Sequence, residues 1–149
     1  MAVQSTPGPG QPEKLPGYKE QAGRGLVTGQ ISSKNFSDAD EVRTFDKGKL
    51  ELVKFGDAVV GLATLQPGWR WSTSVKPIAH TDSCEAPHFQ YHIAGTLRVR
   101  MNDGTEIECK PGDVSLIPPG HDAWVVGDEP VVIVDFQGMV DYAKKQQEH

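Results

Sequence analysis

Short apolar runs recur along the middle of the chain, each about a strand in length and each closed by turn-forming residues. Residues 42–45 (VRTF), 50–55 (LELVKF) and 58–65 (AVVGLATL) are broken by Asp46-Lys47-Gly48-Lys49 and Gly56-Asp57. Residues 88–95, 96–101, 105–109, 113–117, 123–126 and 131–136 follow at short intervals. Runs of this length, several with period-two alternation, predict strands. Asn102-Asp103-Gly104 marks a hairpin, because glycine tolerates positive φ. Lys110-Pro111-Gly112-Asp113 and Pro118-Pro119-Gly120 bracket the next strand, and Gly127-Asp128-Glu129-Pro130 separates the last two. No run is long enough for a βαβ crossover helix, and no repeat is visible. The pattern therefore predicts one all-β jelly roll or barrel of antiparallel strands.

The two ends depart from this pattern. Residues 1–25 are rich in Pro, Gly and Gln and poor in large apolar side chains, so burial there cannot offset ordering entropy. They are expected to form a flexible arm that drapes over a neighbouring subunit. Residues 139–149 (MVDYAKKQQEH) contain helix formers and no breaker, which predicts a short C-terminal helix or tail. The barrel itself is assigned to residues 26–138, with its strands running from about Ile31 to Phe136.

Composition narrows the function classes. A chain of 149 residues suits one domain with one core. Its net charge is -5 and no basic cluster is present, which argues against nucleic acid as a partner. No apolar stretch reaches the roughly 18 residues needed to span a membrane as a helix. The opening residues lack the basic start and apolar core of a signal peptide, and there are only two cysteines, Cys84 and Cys109. A reducing, cytoplasmic setting is the expectation.

Two segments resemble a known family. Gly112 to Gly120 carries a Gly, five residues, Pro118, one residue and Gly120, which is similar to the second motif of the cupin superfamily. Gln66-Pro67-Gly68 resembles the opening of the first cupin motif, and His88 to Gly95 resembles its end. The resemblance implies a cupin-type jelly-roll barrel with its chemistry inside, and it implies pairing into a homodimer through sheet edges. The usual metal ligands are not kept. His88 stands where the family has a Glu, and Ala123 where it has a His. The family's paired histidines fall on Ser74 and Lys76 counted from Gly68, or on Asp82 and Cys84 counted back from His88.

A different donor set remains. Strand side chains two apart share a face, so His88, Gln90 and His92 lie together, and the cupin frame turns them inward. His121 stands two residues before Ala123, in the same motif, and Asp82 and Cys84 stand near the barrel mouth with His80 and Glu85 beside them. His88, His92 and His121 are the candidate metal ligands, with Cys84 or Asp82 as a fourth ligand or catalytic base. Imidazole with thiolate suits zinc, with iron, nickel or copper as further candidates. A buried histidine is more often a hydrogen-bonded core residue, and Cys84 is equally read as a nucleophile or as a small loop thiol. Gln90, Trp71 and Trp124 are the candidate pocket residues, although Trp69 and Trp71, set apart by Arg70, also suit one sheet face of the core or a dimer face. Asp122 is placed either to orient His121 or to form the turn after Gly120. Cys109 reads as structural.

These features leave two functional readings open. One is a metal-dependent small-molecule enzyme of oxygenase, isomerase or lyase type. The other is a non-catalytic barrel that binds or senses a small ligand without metal.

Overall fold

The computed structural model describes residues 30–144 of the chain. The nine apolar runs become nine strands: β1 (Glu41–Phe45), β2 (Gly48–Phe55), β3 (Ala58–Leu65), β4 (His88–Ala94), β5 (Thr96–Met101), β6 (Glu106–Cys109), β7 (Val114–Ile117), β8 (His121–Val126) and β9 (Val131–Asp135). They pair antiparallel in a six-stranded sheet, β1-β2-β3-β9-β4-β7, and a three-stranded sheet, β6-β5-β8. The predicted hairpin at Asn102-Asp103-Gly104 joins β5 to β6, with Gly104 at φ 92° and Asp103 Oδ1 accepting from the Thr105 amide at 2.9 Å.

Period-two alternation builds the core between the sheets. Leu50 and Leu52 on β2, Val131 and Ile133 on β9, Leu97 and Val99 on β5, and Ala123 and Val125 on β8 all point inward. Each large aliphatic side chain among them contributes about 1.5–3 kcal/mol on burial. On β4 the same alternation buries His88, Gln90 and His92 and exposes Phe89, Tyr91 and Ile93. The expected face-sharing on that strand is therefore observed. Arg98 and Arg100 point outward from β5 and approach Glu106 and Glu108 on β6.

The link between β3 and β4 holds two single-turn helices, α1 (Trp71–Ser74) and α2 (Lys76–Ala79). Trp69 and Trp71 are both buried, but they do not share a strand face, because Trp71 opens α1. Asp122 fixes that helix start. Its carboxylate accepts from the Ser72 amide at 3.1 Å and from Arg70 Nε at 3.0 Å, so it neither touches His121 nor merely closes a turn. The one-turn helices are too short to carry the 3.6 period that announces a helix in sequence.

The C-terminal helix expected over residues 139–149 is not formed in its described part. Residues 139–144 run as bends and a turn, and 145–149 lie outside the described residues, as does the arm assigned to 1–25. The reason is Arg43, buried on β1. Its Nη1 donates to the carbonyls of Met139 (3.1 Å) and Tyr142 (2.7 Å), and Nη2 donates to Val140 (2.9 Å). Those carbonyls would be the acceptors of a helical turn. Gly138, at φ 85°, brings the chain against Pro87 so closely that a Cβ would collide with the Pro87 carbonyl. The result is a bent strap across one end of the barrel.

Arg43→Leu should loosen the strap and lower stability by about 2–4 kcal/mol, since it orphans three carbonyls at a buried site; urea unfolding measures this. Glu41 supports Arg43, and its hydrogen bonds from Arg43 and Lys54 hold its carboxyl down to about 2 from 4.5. A depressed acid stabilises the fold above its unfolded value and loses that contribution as pH falls through the folded one. The stability gap between wild type and Glu41→Gln should therefore be full above pH 4.5 and close as pH falls toward 2.

Candidate metal centre

Three elements bring the donors together. The backbone of Cys84 is held against the start of β8 by a hydrogen bond from its amide to the His121 carbonyl (2.7 Å) and one from the Gly120 amide to the Cys84 carbonyl (2.7 Å). His121 is the first residue of β8, and His88 is the first of β4. One ligand atom from each of Cys84, His88 and His121 lies within 4.8 Å of the other two, and all three residues are buried. Cys84 Sγ is 3.6 Å from His88 Nε2. The two imidazole rings meet edge to face with centroids 5.2 Å apart.

Hydrogen bonds on the far side of each ring set its tautomer. His121 Nδ1 lies 2.9 Å from the Pro118 carbonyl, which only accepts, so the proton sits on Nδ1 and Nε2 keeps its lone pair. His88 Nδ1 contacts Asp135 Oδ2 at 2.5 Å, leaving Nε2 free to face Cys84. Asp135 also accepts from Gln90 Nε2 (3.0 Å), from the Phe89 amide (3.3 Å) and from the Gln137 amide (2.9 Å). This is the carboxylate–histidine arrangement that orients metal ligands and raises their basicity. Burial lowers the pKa of His121, which keeps it neutral, and burial pushes the Cys84 thiol up to about 12. A thiol so placed is a poor free nucleophile but becomes a thiolate when it binds a cation.

The cluster sits between two spaces. Outside it is an open cleft of about 870 Å³, walled by Trp71, Val75 and Ile78 on one side and by Val140 and Tyr142 of the strap on the other, with Cys84 among its lining residues. Inside it is a void of about 30 Å³ lined by His88, Gln90, His121 and Asp135. Trp71 and Tyr142 border both. The inner void has room for about one water molecule. Gln90 Oε1 is buried and has no hydrogen-bond partner among the described residues. Tyr142 packs edge to face on His88 at 5.5 Å, and burial raises its phenol well above the usual value.

Some expected site residues are not brought together. His92 shares the inward face of β4 but stands apart from the cluster and bonds Ser115 Oγ at 2.8 Å, as a core histidine does. Burial lowers its pKa. Asp82 points fully into solvent, 3.8 Å from Lys76 Nζ, because the short turn before Cys84 swings it away from the barrel. It therefore neither ligates nor acts as a base at this cluster. Trp124 is also misplaced by the pocket assignment. It alternates with the inward-facing Ala123 and Val125, so it lies on the outer face beneath the Arg70 guanidinium at 4.6 Å. Trp71 and Gln90 do line the site. Asp135 and Tyr142 were missed. Asp135 had a signal, being the one acidic side chain at an inward position of β9; Tyr142 had none.

The chain matches no protein-family model and no curated protein. Its fold is similar to solved structures. A protein of unknown function from Rhizobium leguminosarum bv. viciae is 17% identical over 72% of this chain and 96% of its own, with a TM-score of 0.54. The polyketide cyclase RemF from Streptomyces resistomycificus is 15% identical over 72% of this chain and 79% of its own, with a TM-score of 0.52. An oxalate decarboxylase from Lactobacillus farciminis is 20% identical with a TM-score of 0.49, and this chain spans 32% of its length. These likenesses concern the fold. The Rhizobium and Streptomyces structures share its fold, an antiparallel jelly roll closed as a single barrel.

Removing the acceptor at the hub should be costly. Asp135→Ala strands four N–H donors in the core and should lower stability by at least about 3 kcal/mol in urea unfolding, whereas the solvent-facing Asp82→Ala should stay within about 0.5 kcal/mol of wild type.

Proposed function

We propose that this barrel holds a divalent transition metal on Cys84, His88 and His121 and acts through it on a small organic molecule bound in the open cleft. The carrying observation is the 3.6 Å between Cys84 Sγ and His88 Nε2. A tetrahedral zinc with a sulfur ligand at about 2.3 Å and nitrogen at about 2.0–2.1 Å requires those two atoms to be about 3.6 Å apart. Both histidine lone pairs are already directed by partners behind the rings, and Asp135 holds the proton on His88 Nδ1. One thiolate and two neutral imidazoles favour zinc, with iron, nickel or copper as further candidates.

Such a centre with a fourth position open polarises a substrate oxygen or activates water. With a redox-inactive ion this supports isomerase or lyase chemistry; iron or copper would extend it to oxygenase chemistry. The chain's own residues prepare that position. Trp71 and Tyr142 give the cleft an apolar floor, and the narrow inner void limits what stands behind the donors to about one water-sized molecule. Gln90 Oε1, left without a protein partner, is available to accept a hydrogen bond from it.

Untagged, metal-free full chain titrated with Co²⁺ should bind one equivalent and develop a thiolate charge-transfer band in the near ultraviolet. Cys84→Ser should abolish the band, and Asp135→Asn should weaken binding about 10–100-fold by releasing His88. His92→Gln should leave both properties unchanged. Binding of less than about a tenth of an equivalent by folded protein would overturn the metal reading. The open cleft would then favour a small-ligand-binding barrel without metal.

A further inference from the structure

Four buried side-chain polar atoms find no hydrogen-bond partner among the described residues, and two of them, Trp69 Nε1 and Gln90 Oε1, belong to side chains that line the inner void. Both side chains are more than nine-tenths buried, Trp69 at 2% and Gln90 at 7% exposure. Their roles are fixed. An indole N–H only donates. The Gln90 amide cannot turn over, because its Nε2 donates to Asp135 Oδ2 at 3.0 Å and a turn would set oxygen against oxygen. Gln90 Oε1 is thus an acceptor facing no protein donor. Much of the wall around these atoms is apolar, with Leu97, Val99, Ile117 and Ile133 among its residues. Buried polar atoms in such a setting are normally paired, and leaving one unpaired is costly.

We propose that the inner void is a subsite for a single O–H group, which donates to Gln90 Oε1 and accepts from Trp69 Nε1. One donor and one acceptor are left over in this wall, and an O–H is the smallest group that answers both. A carbonyl would leave Gln90 unpaired, an ammonium would leave Trp69 unpaired, and an alkyl group would leave both. An amide exceeds a space of about 30 Å³. This inference rests on the metal reading above and deepens it to a substrate class, the small hydroxy compounds. Cys84 lines the cleft, whereas His88 and His121 line the void, so the donors stand between the two spaces. Trp71 and Tyr142 border both, and a molecule with its body in the cleft and its hydroxyl in the void would pass between them, beside the donors. Water supplies the same O–H chemistry, and the two sources part in the experiment below.

In the metal-free full chain, the Trp69 indole hydrogen should show an NMR cross-peak to water of opposite sign in laboratory-frame and rotating-frame spectra, the mark of a resident water. Trp69→Phe assigns the signal by its loss. Ala123→Val adds two methyl groups to a wall residue and keeps both polar atoms, so it should remove the water cross-peak while the indole signal stays; it also serves if Trp69→Phe fails to fold. Benzyl alcohol and toluene, one body with and without the hydroxyl, separate the sources. If an organic hydroxyl is the guest, benzyl alcohol should replace the water cross-peak with its own and bind at least about tenfold tighter than toluene. If water is the guest, its cross-peak should persist with the alcohol present. A folded wild type with neither cross-peak would overturn the proposal. So would a water cross-peak unchanged in Ala123→Val, or its displacement by toluene as readily as by benzyl alcohol. Cobalt titration of the same sample keeps the two readings apart. A chain that shows the cross-peak but binds no Co²⁺ loses the metal reading alone, and one that binds Co²⁺ with neither cross-peak loses the hydroxyl subsite alone.

Discussion

The contact between Asp135 and His88 is the constraint on which the interior depends. An acidic side chain with no exposure is tolerated only when its oxygens are fully engaged. Here they receive N–H groups from His88, Phe89, Gln90 and Gln137, so one carboxylate ties the end of β9 to the start of β4. It thereby sets strand position, the tautomer of His88 and the orientation of Gln90 together. Neither the donor triad nor the inner void would keep its shape if β9 ended in an apolar residue.

The cluster is held by turns and backbone pairing rather than by the packed core alone. The turns at Gly112 and Gly120, both at positive φ, hold β7 between them. Ala123 is part of the packed core. An imidazole stands two residues earlier, at the first position of β8, where His121 meets the loop holding Cys84 through backbone bonds. The cluster of Cys84, His88 and His121 thus lies toward one end of the barrel, where the cleft opens.

How much of this was legible in the sequence follows from how local each cause is. Period-two alternation and glycine turns act over a few residues, and all nine strands were readable from them. The inward set His88, Gln90 and His92 followed from parity alone, but parity could not separate the ligand position from the core position, because that depends on Ser115 opposite Gln90 and on the loop bearing Cys84. Asp82 and Trp124 were misread because proximity in sequence to the motif stood in for direction. The C-terminal segment has real helix propensity, yet a guanidinium from β1 claims its carbonyls. Phe89, Tyr91, Val114 and Leu116 gain a common exposed face only through the pairing of β4 with β7, which a single strand's pattern does not carry.

Arg43 bonds to residues 96, 97 and 99 positions away, linking the first strand to the strap that ends the described chain. The same strap carries Tyr142, whose ring packs on His88, so the contacts of Arg43 close the barrel beside the cluster of Cys84, His88 and His121. Contacts so far apart in sequence carry a high loop-closure cost, so this end of the barrel is expected to be slow to close.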